Sequence, residues 1–316
     1  MARKVAIIGS GLIGRSWAIC FARGGYDVAM WDPEVQSLKT SLDAIGNLLV
    51  DLEKGGLLQN QTAATVRKRI VPVRTIEEAV AESVHVQENG PEQLQVKKDL
   101  FQKLDIAAPA DAVLASSSSA IPASQFTETL RGKGRCLIAH PINPPYLVPA
   151  VELVPAPWTE APVVERTRSL MARIGMAPMI LNKEVDGFVV NRLQAALLHE
   201  AFRLVEGGYA SVADIDIAVG KGLGLRWSFM GPFETIDLNA PGGVADYVAR
   251  YDGAMKKMAE TQKEPVTWVG ALTEKITADR DRRLPRAELA NRQRWRDRRL
   301  MALLRHFTAA EKEIGT

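Results

Sequence analysis

Cysteine and histidine are scarce in this chain: two cysteines and four histidines among 316 residues. Cys20 and Cys136 both fall in apolar segments, so the sequence predicts neither a disulfide framework nor a structural metal site. No apolar run approaches the ~18–20 residues that span a bilayer. The chain starts directly on a strand-like segment, which leaves no room for a signal peptide. A cytoplasmic protein without a membrane partner is the expectation. A large charge excess is missing too: the net charge is +3, too small to imply a nucleic-acid partner. Arginines crowd the stretch from Arg280 to Arg299, but Asp279, Asp281, Glu288 and Asp297 are interleaved with them. That pattern reads as a solvated helix with local ion pairs or as an arginine-rich subunit contact. Internal repeats and low-complexity segments are absent. What is present is ordinary, 47% hydrophobic and 24% charged residues, as in a globular protein. The length suggests roughly two domains on a ~150-residue prior.

The first 32 residues carry the clearest pattern. Lys4 to Ile8 is a short apolar run with the character of a buried strand. Gly9-Ser10-Gly11-Leu12-Ile13-Gly14 follows at once, then an apolar helical stretch, then a second strand, Tyr26 to Trp31, that ends on Asp32. Strand, glycine loop, helix, strand and acid are the order of a dinucleotide-binding unit. Gly9 permits the tight turn, Gly11 lets the backbone approach a pyrophosphate, and Gly14 lets the helix pack close to the strand. The helix N-terminus then faces the phosphates. Asp32 can accept from an adenosine ribose, and its charge repels a 2′-phosphate, which favours NAD over NADP. Gly9, Gly11, Leu12, Ile13, Gly14 and Asp32 form the expected cofactor-binding set. A flexible loop before an ordinary core helix is the alternative.

Further along, strand-like and helix-like segments alternate. The periodicity predicts a helix from Glu34 to Lys54, a strand over Ser83–Gln87, a helix from Pro91 to Leu104, and strands over Ala112–Ala115, Arg135–Ala139 and Ala150–Val154. A helix from Glu160 to Ile174 and a strand over Pro178–Leu181 complete the series. This is the α/β pattern of a Rossmann-like, doubly wound, mostly parallel sheet covered on both faces. Near Asp186-Gly187 the pattern changes. Helical spacing governs Phe188 to Glu206, Ser211 reads as the N-cap of Val212–Val219, and Gly243–Arg250 and Ala287–Leu304 also read as helices. The expected division is a nucleotide-binding domain, residues 1–185, and a second, all-helical domain, residues 186–316.

In a doubly wound sheet the ligand lies outside the carboxyl ends of the strands. The strand placements bring the Gly9 loop, Asp32, Glu88 with Asn89, Ser116 to Ser119, and His140 to that edge. His140 opens a proline-stiffened loop, His140-Pro141-Ile142-Asn143-Pro144-Pro145, and Glu152 follows inside an apolar run. A carboxylate buried in such a run needs a partner, and His140 is the candidate. Paired to an acid at one ring nitrogen, the imidazole can take a proton at the other. The alternative is that His140 bonds structurally and Glu152 faces solvent.

The motifs GSGLIGRSWA (Gly9–Ala18), PEQLQVKK (Pro91–Lys98), SSSSAI (Ser116–Ile121), AHPINPPYLVPAVELVP (Ala139–Pro155), DGFVVNRLQ (Asp186–Gln194) and RWSFMGPFETIDLNAPGG (Arg226–Gly243) span nearly the whole chain. Together with RQRWRD (Arg292–Asp297) they resemble the 3-hydroxyacyl-CoA dehydrogenase superfamily, in particular its lambda-crystallin/L-gulonate 3-dehydrogenase branch. The resemblance implies a Rossmann-like domain followed by a helical domain that makes a homodimer. It implies that His140 is the catalytic base, that Glu152 orients it, that Ser119 and Asn191 hold the substrate oxygen, and that Asp32, Glu92 and Lys97 contact the cofactor. Asn143 either supports the site or caps its loop. Two departures from the acyl-CoA enzymes stand out: the all-serine loop and Arg226 before MGPFE. Arg226 is a candidate clamp for a free carboxylate, the alternative being an ion pair across the dimer. The expectation is NAD-dependent oxidation of a small free L-3-hydroxy acid such as L-gulonate. An L-3-hydroxyacyl-CoA such as hydroxybutyryl-CoA, L-carnitine, and a non-catalytic NAD-binding role are the alternatives.

Overall fold

The computed structural model describes residues 3–315. Eight strands form one sheet: β1 (Lys4–Ile8), β2 (Asp27–Trp31), β3 (Ile70–Pro72), β4 (Ser83–Glu88), β5 (Val113–Ser116), β6 (Cys136–Pro141), β7 (Ala150–Pro155) and β8 (Ala177–Ile180). Their spatial order is β3-β2-β1-β4-β5-β6-β7-β8. All pairings are parallel except β6 with β7. Between and after the strands run α1 (Leu12–Arg23), α2 (Val35–Lys54), α3 (Ala63–Lys68), α4 (Ile76–Val80), α5 (Leu94–Ala107), α6 (Ser124–Thr127) and α7 (Ala161–Arg173).

β1, at the centre of the sheet, is apolar on both faces because helices cover both. Val5 and Ile7 of β1 pack with Trp17, Phe21, Val28 and Met30 in one core, while Ala6 and Ile8 pack with Val86, Phe101 and Leu114 in the other. Burying a large aliphatic or aromatic side chain contributes about 1.5–3 kcal/mol, which makes these two layers the main source of stability for the unit. The order of the chain through the sheet reverses at β1, which lies between β2 and β4. That reversal opens the ligand crevice at the carboxyl ends of β1 and β4.

The register then sets the edge. Trp31, Ile8, Glu88, Ser116 and Ile138 lie side by side across β2, β1, β4, β5 and β6. One residue beyond that row come Asp32, Gly9, Asn89 and Ser117. Farther along β6, His140 stands opposite Glu152 of the antiparallel strand β7.

The helical part contains α8 (Val190–Glu206), α9 (Val212–Ile217), α10 (Gly224–Trp227), α11 (Pro232–Leu238), α12 (Gly243–Thr261), α13 (Ala271–Arg283) and α14 (Leu289–Ile314). Ser211 caps α9 as the sequence predicts, in a reciprocal capping box with Asp214. Beyond Ile217 the backbone widens into π-helical turns over Ala218–Leu223. Two compact units emerge: one holds the chain up to Arg192 together with the stretch from Asp297 onward, the other Leu193–Arg296. The terminal stretch joins the first unit because Met301 is buried in the core that contains Trp17 and Ile45, with Leu300 and Leu304 packed against it. The interleaved acids of the arginine-rich region do form ion pairs: Arg282 and Arg283 with Asp279, and Arg286 with Asp281. Among the described residues no helix is long and apolar enough to cross a membrane.

Two predicted helices start later than their periodicity suggests. Gln93, in extended conformation, precedes α5, which begins at Leu94 rather than Pro91. The helix expected from Phe188 begins at Val190, because Gly187 (φ 73°) and Phe188 (φ 50°) are both left-handed.

Candidate functional site

The glycine loop has the geometry its spacing implies. Gly9 has φ 92°, and its N–H donates to the Trp31 carbonyl at 2.8 Å, which ties the turn to the end of β2. A Cβ on Gly14 would lie 1.9 Å from the Gly9 carbonyl oxygen, so only glycine lets α1 approach the loop. A Cβ on Gly11 would meet nothing within 4 Å. This backbone is open to a ligand, and α1 has no side-chain cap on its first amides. An uncapped helix start behind an open glycine is a cradle for a pyrophosphate. Leu12, at the first turn of α1, is 61% exposed and lies beside that opening; Ile13 behind it is packed against the core. Asp32 is held at the end of β2: its Oδ2 accepts from the Ser10 N–H and hydroxyl, both at 2.7 Å, and its Oδ1 from the Glu34 N–H at 2.9 Å. The residues present therefore fit a dinucleotide.

The four serines divide their work by strand alternation. Ser116 points to one face, where its hydroxyl donates to Glu88 Oε2 at 2.5 Å beside Lys97. Ser117 points to the other, where it donates to Asn89 Oδ1 at 2.8 Å and accepts from Trp17 Nε1 and Gln87 Nε2. Ser118 donates to Glu92 Oε1, with the Ile121 carbonyl oxygen also 2.7 Å from its hydroxyl, and accepts from the Ile121 N–H. Ser119 is exposed, and among the described residues its hydroxyl makes no hydrogen bond. One serine of the run is thus left to meet a ligand, and the other three fix the loop that presents it.

Glu92 is the anchor of that loop. Its Oε1 accepts from the N–H groups of Ser119, Ala120 and Ile121 as well as from Ser118. Burial would raise its pKa, but the Ser118 and amide bonds and the Lys97 charge outweigh it and hold the carboxyl below its usual range. Lys97 is 1% exposed, with its ammonium 3.0 Å from Glu88 Oε2 and 3.7 Å from Glu92 Oε2. A buried charge of this kind persists only when paired. The Lys97 ammonium is thus committed to these two carboxylates and Glu92 to the serine loop.

A second polar chain runs through the sheet beneath the loop. His85 Nε2 lies 3.0 Å from Gln87 Oε1, and Gln87 Nε2 donates to Ser117 Oγ and to the Ala139 carbonyl. His85 is fully buried, and this desolvation lowers its pKa to about 4 even though the Gln87 bond works the other way. Polar residues at 85, 87 and 88 inside a buried strand were the sequence signal for this scaffold.

His140 and Glu152 meet. The imidazole Nδ1 lies 2.7 Å from Glu152 Oε2. The other carboxylate oxygen, Oε1, accepts from the N–H groups of Val189 and Val190 at 2.7 and 3.0 Å. Burial would raise the Glu152 pKa; the His140 bond and the two amides overcome this and hold it below the usual carboxylate range. An ionised Glu152 requires a proton on Nδ1, which leaves Nε2 as the proton-accepting atom. Among the described residues no hydrogen bond engages Nε2. Asn191, in the first turn of α8, donates from Nδ2 to the Ser119 carbonyl at 3.0 Å, so the asparagine stands beside the unbonded serine. Ser119, His140, Glu152 and Asn191 all belong to the first compact unit. Asn143 is exposed in its loop, preceding Pro144 across a cis peptide bond, with no side-chain hydrogen bond among the described residues. Arg226 lies in the second unit, in α10, and its Nε is buried with no hydrogen-bond partner among the described residues. Among the described residues no three histidine, cysteine, aspartate or glutamate side chains cluster as a metal site.

Residues 4–185 match the NAD-binding domain of 3-hydroxyacyl-CoA dehydrogenase, and residues 187–276 match the C-terminal domain of the same family. The lambda-crystallin homolog of Mus musculus is 42% identical over 302 residues, covering 95% of this chain and 94% of that protein. An L-carnitine dehydrogenase of Pseudomonas sp is 34% identical, covering 99% and 96%. Among solved structures, 5-formyl-3-hydroxy-2-methylpyridine 4-carboxylic acid 5-dehydrogenase, an NAD+-dependent dismutase, superposes with a TM-score of 0.83 at 26% identity, covering 96% of this chain and 98% of that one.

Proposed function

The chain belongs to the 3-hydroxyacyl-CoA dehydrogenase family and is an NAD-dependent oxidoreductase acting on a CH–OH group; from that premise we propose that it oxidises the 3-hydroxyl of an L-3-hydroxy acid to the 3-keto acid, with L-gulonate as the substrate. The observation that carries the reading is the His140–Glu152 pair, 2.7 Å apart, with Nε2 unengaged.

NAD, when bound, supplies the hydride acceptor. The protein's part is to bind, orient and deprotonate. Gly9, Gly11, Leu12, Ile13 and Gly14 offer backbone to the pyrophosphate, and Asp32 offers its carboxylate to the adenosine ribose. Glu92 and Lys97 support the loop that borders the cofactor. His140 takes the hydroxyl proton at Nε2, a step that general-base catalysis typically accelerates about 10²–10⁴-fold. Glu152 stays ionised and stabilises the imidazolium that forms. Ser119 and Asn191 hold the oxygen on which charge changes, and Asn143 lies in the loop that follows the strand carrying His140.

A free acid brings a carboxylate that a thioester lacks. A guanidinium such as that of Arg226 has the chemistry for that group. We assign it as the carboxylate clamp. L-carnitine is a second reading, favoured by the 34% identical L-carnitine dehydrogenase, since it too is a free 3-hydroxy acid. Turnover of L-gulonate, L-carnitine and L-3-hydroxybutyryl-CoA decides among these. For a free acid, Arg226→Ala should raise KM roughly 10- to 100-fold, the loss expected for a charge-assisted bond, while leaving a thioester unaffected. An unchanged KM would remove the clamp.

The helical unit is proposed to make a homodimer. Of residues 193–296 only Val205, Thr235, Ala240 and Leu272 are buried, while Leu193, Phe229 and Phe233 are each more than 60% exposed. Exposed apolar surface on this scale marks an interface. A sedimentation experiment that finds a monomer at micromolar concentration would refute it.

A further inference from the structure

The oxidation proposed above needs an imidazole held in one orientation, and an element of the fold outside the catalytic set supplies that hold. Phe188 is fully buried, and its ring centroid is 5.6 Å from that of His140 at an interplanar angle of 55°. Its φ is 50°, directly after Gly187 at 73°. A left-handed conformation is rare for a bulky residue and needs surroundings that impose it. Here the buried ring imposes it: Phe188 belongs to the core that includes Val154 and Leu181, and its N–H donates to the Val185 carbonyl at 3.0 Å. Two consecutive left-handed residues reverse the chain, and the next two N–H groups, those of Val189 and Val190, fall on Glu152 Oε1. Glu152 thus caps α8 from a different strand, and the amides at the start of a helix favour its ionised form.

We propose that Phe188 is a positioning residue for the proton-accepting dyad: its left-handed backbone delivers two amides to one oxygen of Glu152, and its ring closes one side of His140, so that the imidazole is fixed at both ends of the pair. The proposal rests on His140 being the base. Without the turn at Phe188, Glu152 would lose two of its three hydrogen bonds and could swing away from Nδ1. Its ring meets His140 and its N–H the Val185 carbonyl, so its effect belongs in kcat rather than in binding.

The test uses the full-length protein with NAD and L-gulonate, and with L-3-hydroxybutyryl-CoA as a second substrate. Phe188→Gly removes the ring and frees the backbone; Phe188→Leu keeps most of the volume, and so the fold, but loses the flat ring. Both should lower kcat, by about 10- to 100-fold for glycine and less for leucine, the range expected when a catalytic group is misplaced by a fraction of an ångström to an ångström. NAD affinity and KM should stay within about twofold, because uniform binding is untouched. The downfield proton resonance of the His140 Nδ1–H, assigned by its disappearance in His140→Gln, should broaden or vanish in Phe188→Gly. A merely structural role would lower the melting temperature but leave that resonance and kcat intact in Phe188→Leu, and this result would overturn the proposal. The parent reading fails separately: if His140→Gln still turns over either substrate, His140 is not the base, whatever the Phe188 variants do.

Discussion

Replacing Glu152 by glutamine changes one atom and isolates the electrostatic part of the dyad. Glu152 accepts three hydrogen bonds, from His140 Nδ1 at 2.7 Å and from the Val189 and Val190 amides at 2.7 and 3.0 Å, and it is fully buried. A glutamine has one accepting oxygen. If that oxygen faced His140, its NH₂ would face two amide donors, leaving buried polar groups unpaired at about 1–3 kcal/mol each. The favoured orientation therefore keeps the oxygen on the amides and turns the NH₂ toward His140. Nδ1 must then accept, the proton moves to Nε2, and the atom that should take the substrate proton is already occupied. Holding the wrong tautomer costs about 10⁴-fold in an analogous histidine–carboxylate pair, or about 5 kcal/mol of barrier at 1.36 kcal/mol per decade. Steady-state kinetics with a titration of NAD binding provide the assay. Glu152→Gln should lower kcat by about 10³–10⁴-fold with NAD affinity unchanged. A loss below about tenfold would show that tautomer control is not what Glu152 does.

Other outcomes follow from the same structure. Ser119→Ala should reduce kcat by about 10- to 1000-fold, as for removal of a single oxyanion donor, with little change in melting temperature; Ser117→Ala, which removes one partner each from Trp17, Gln87 and Asn89, should do the reverse. His85 gives the pH dependence. Its folded pKa of about 4 lies below the ordinary histidine value of 6.5, so the unfolded chain binds a proton first. Stability therefore falls as pH drops from about 6.5 to about 4, by about 2 kcal/mol at pH ~5 and about 3 kcal/mol once both states are protonated. Urea denaturation at pH ~7 and ~5 checks this: His85→Asn should show a smaller acid loss than the parent, and an equal loss would refute the assignment.

The part of the site that depends on local spacing was legible in the sequence. The glycine loop, Asp32 and the strand ends could be placed because parallel strands buried on both faces read as short apolar runs, and because backbone demands at Gly9 and Gly14 admit little besides glycine. The His140–Glu152 pair could be posed but not decided, since either residue might have faced elsewhere; the antiparallel register of β6 with β7 brings them opposite each other. What the sequence hid was division of labour within the serine run. Four identical residues gave no hint that three are consumed by Glu88, Asn89 and Glu92, although alternation along β5 could have sent Ser116 and Ser117 to opposite faces. The turn at Phe188 was hidden too, because helical periodicity continues through residues that tertiary packing forces out of the helix. The stretch from Gly55 to Glu82, with α3, β3 and α4, was unreadable because each element is too short to show a period.

The central claim is that the residue 140 imidazole takes the substrate's proton. The most direct measurement is turnover by His140→Ala with and without added imidazole, at saturating NAD. Loss of about 10²–10⁴-fold in kcat, partly and saturably restored by imidazole, is the predicted result. Turnover by His140→Ala within a few-fold of the parent enzyme would contradict it.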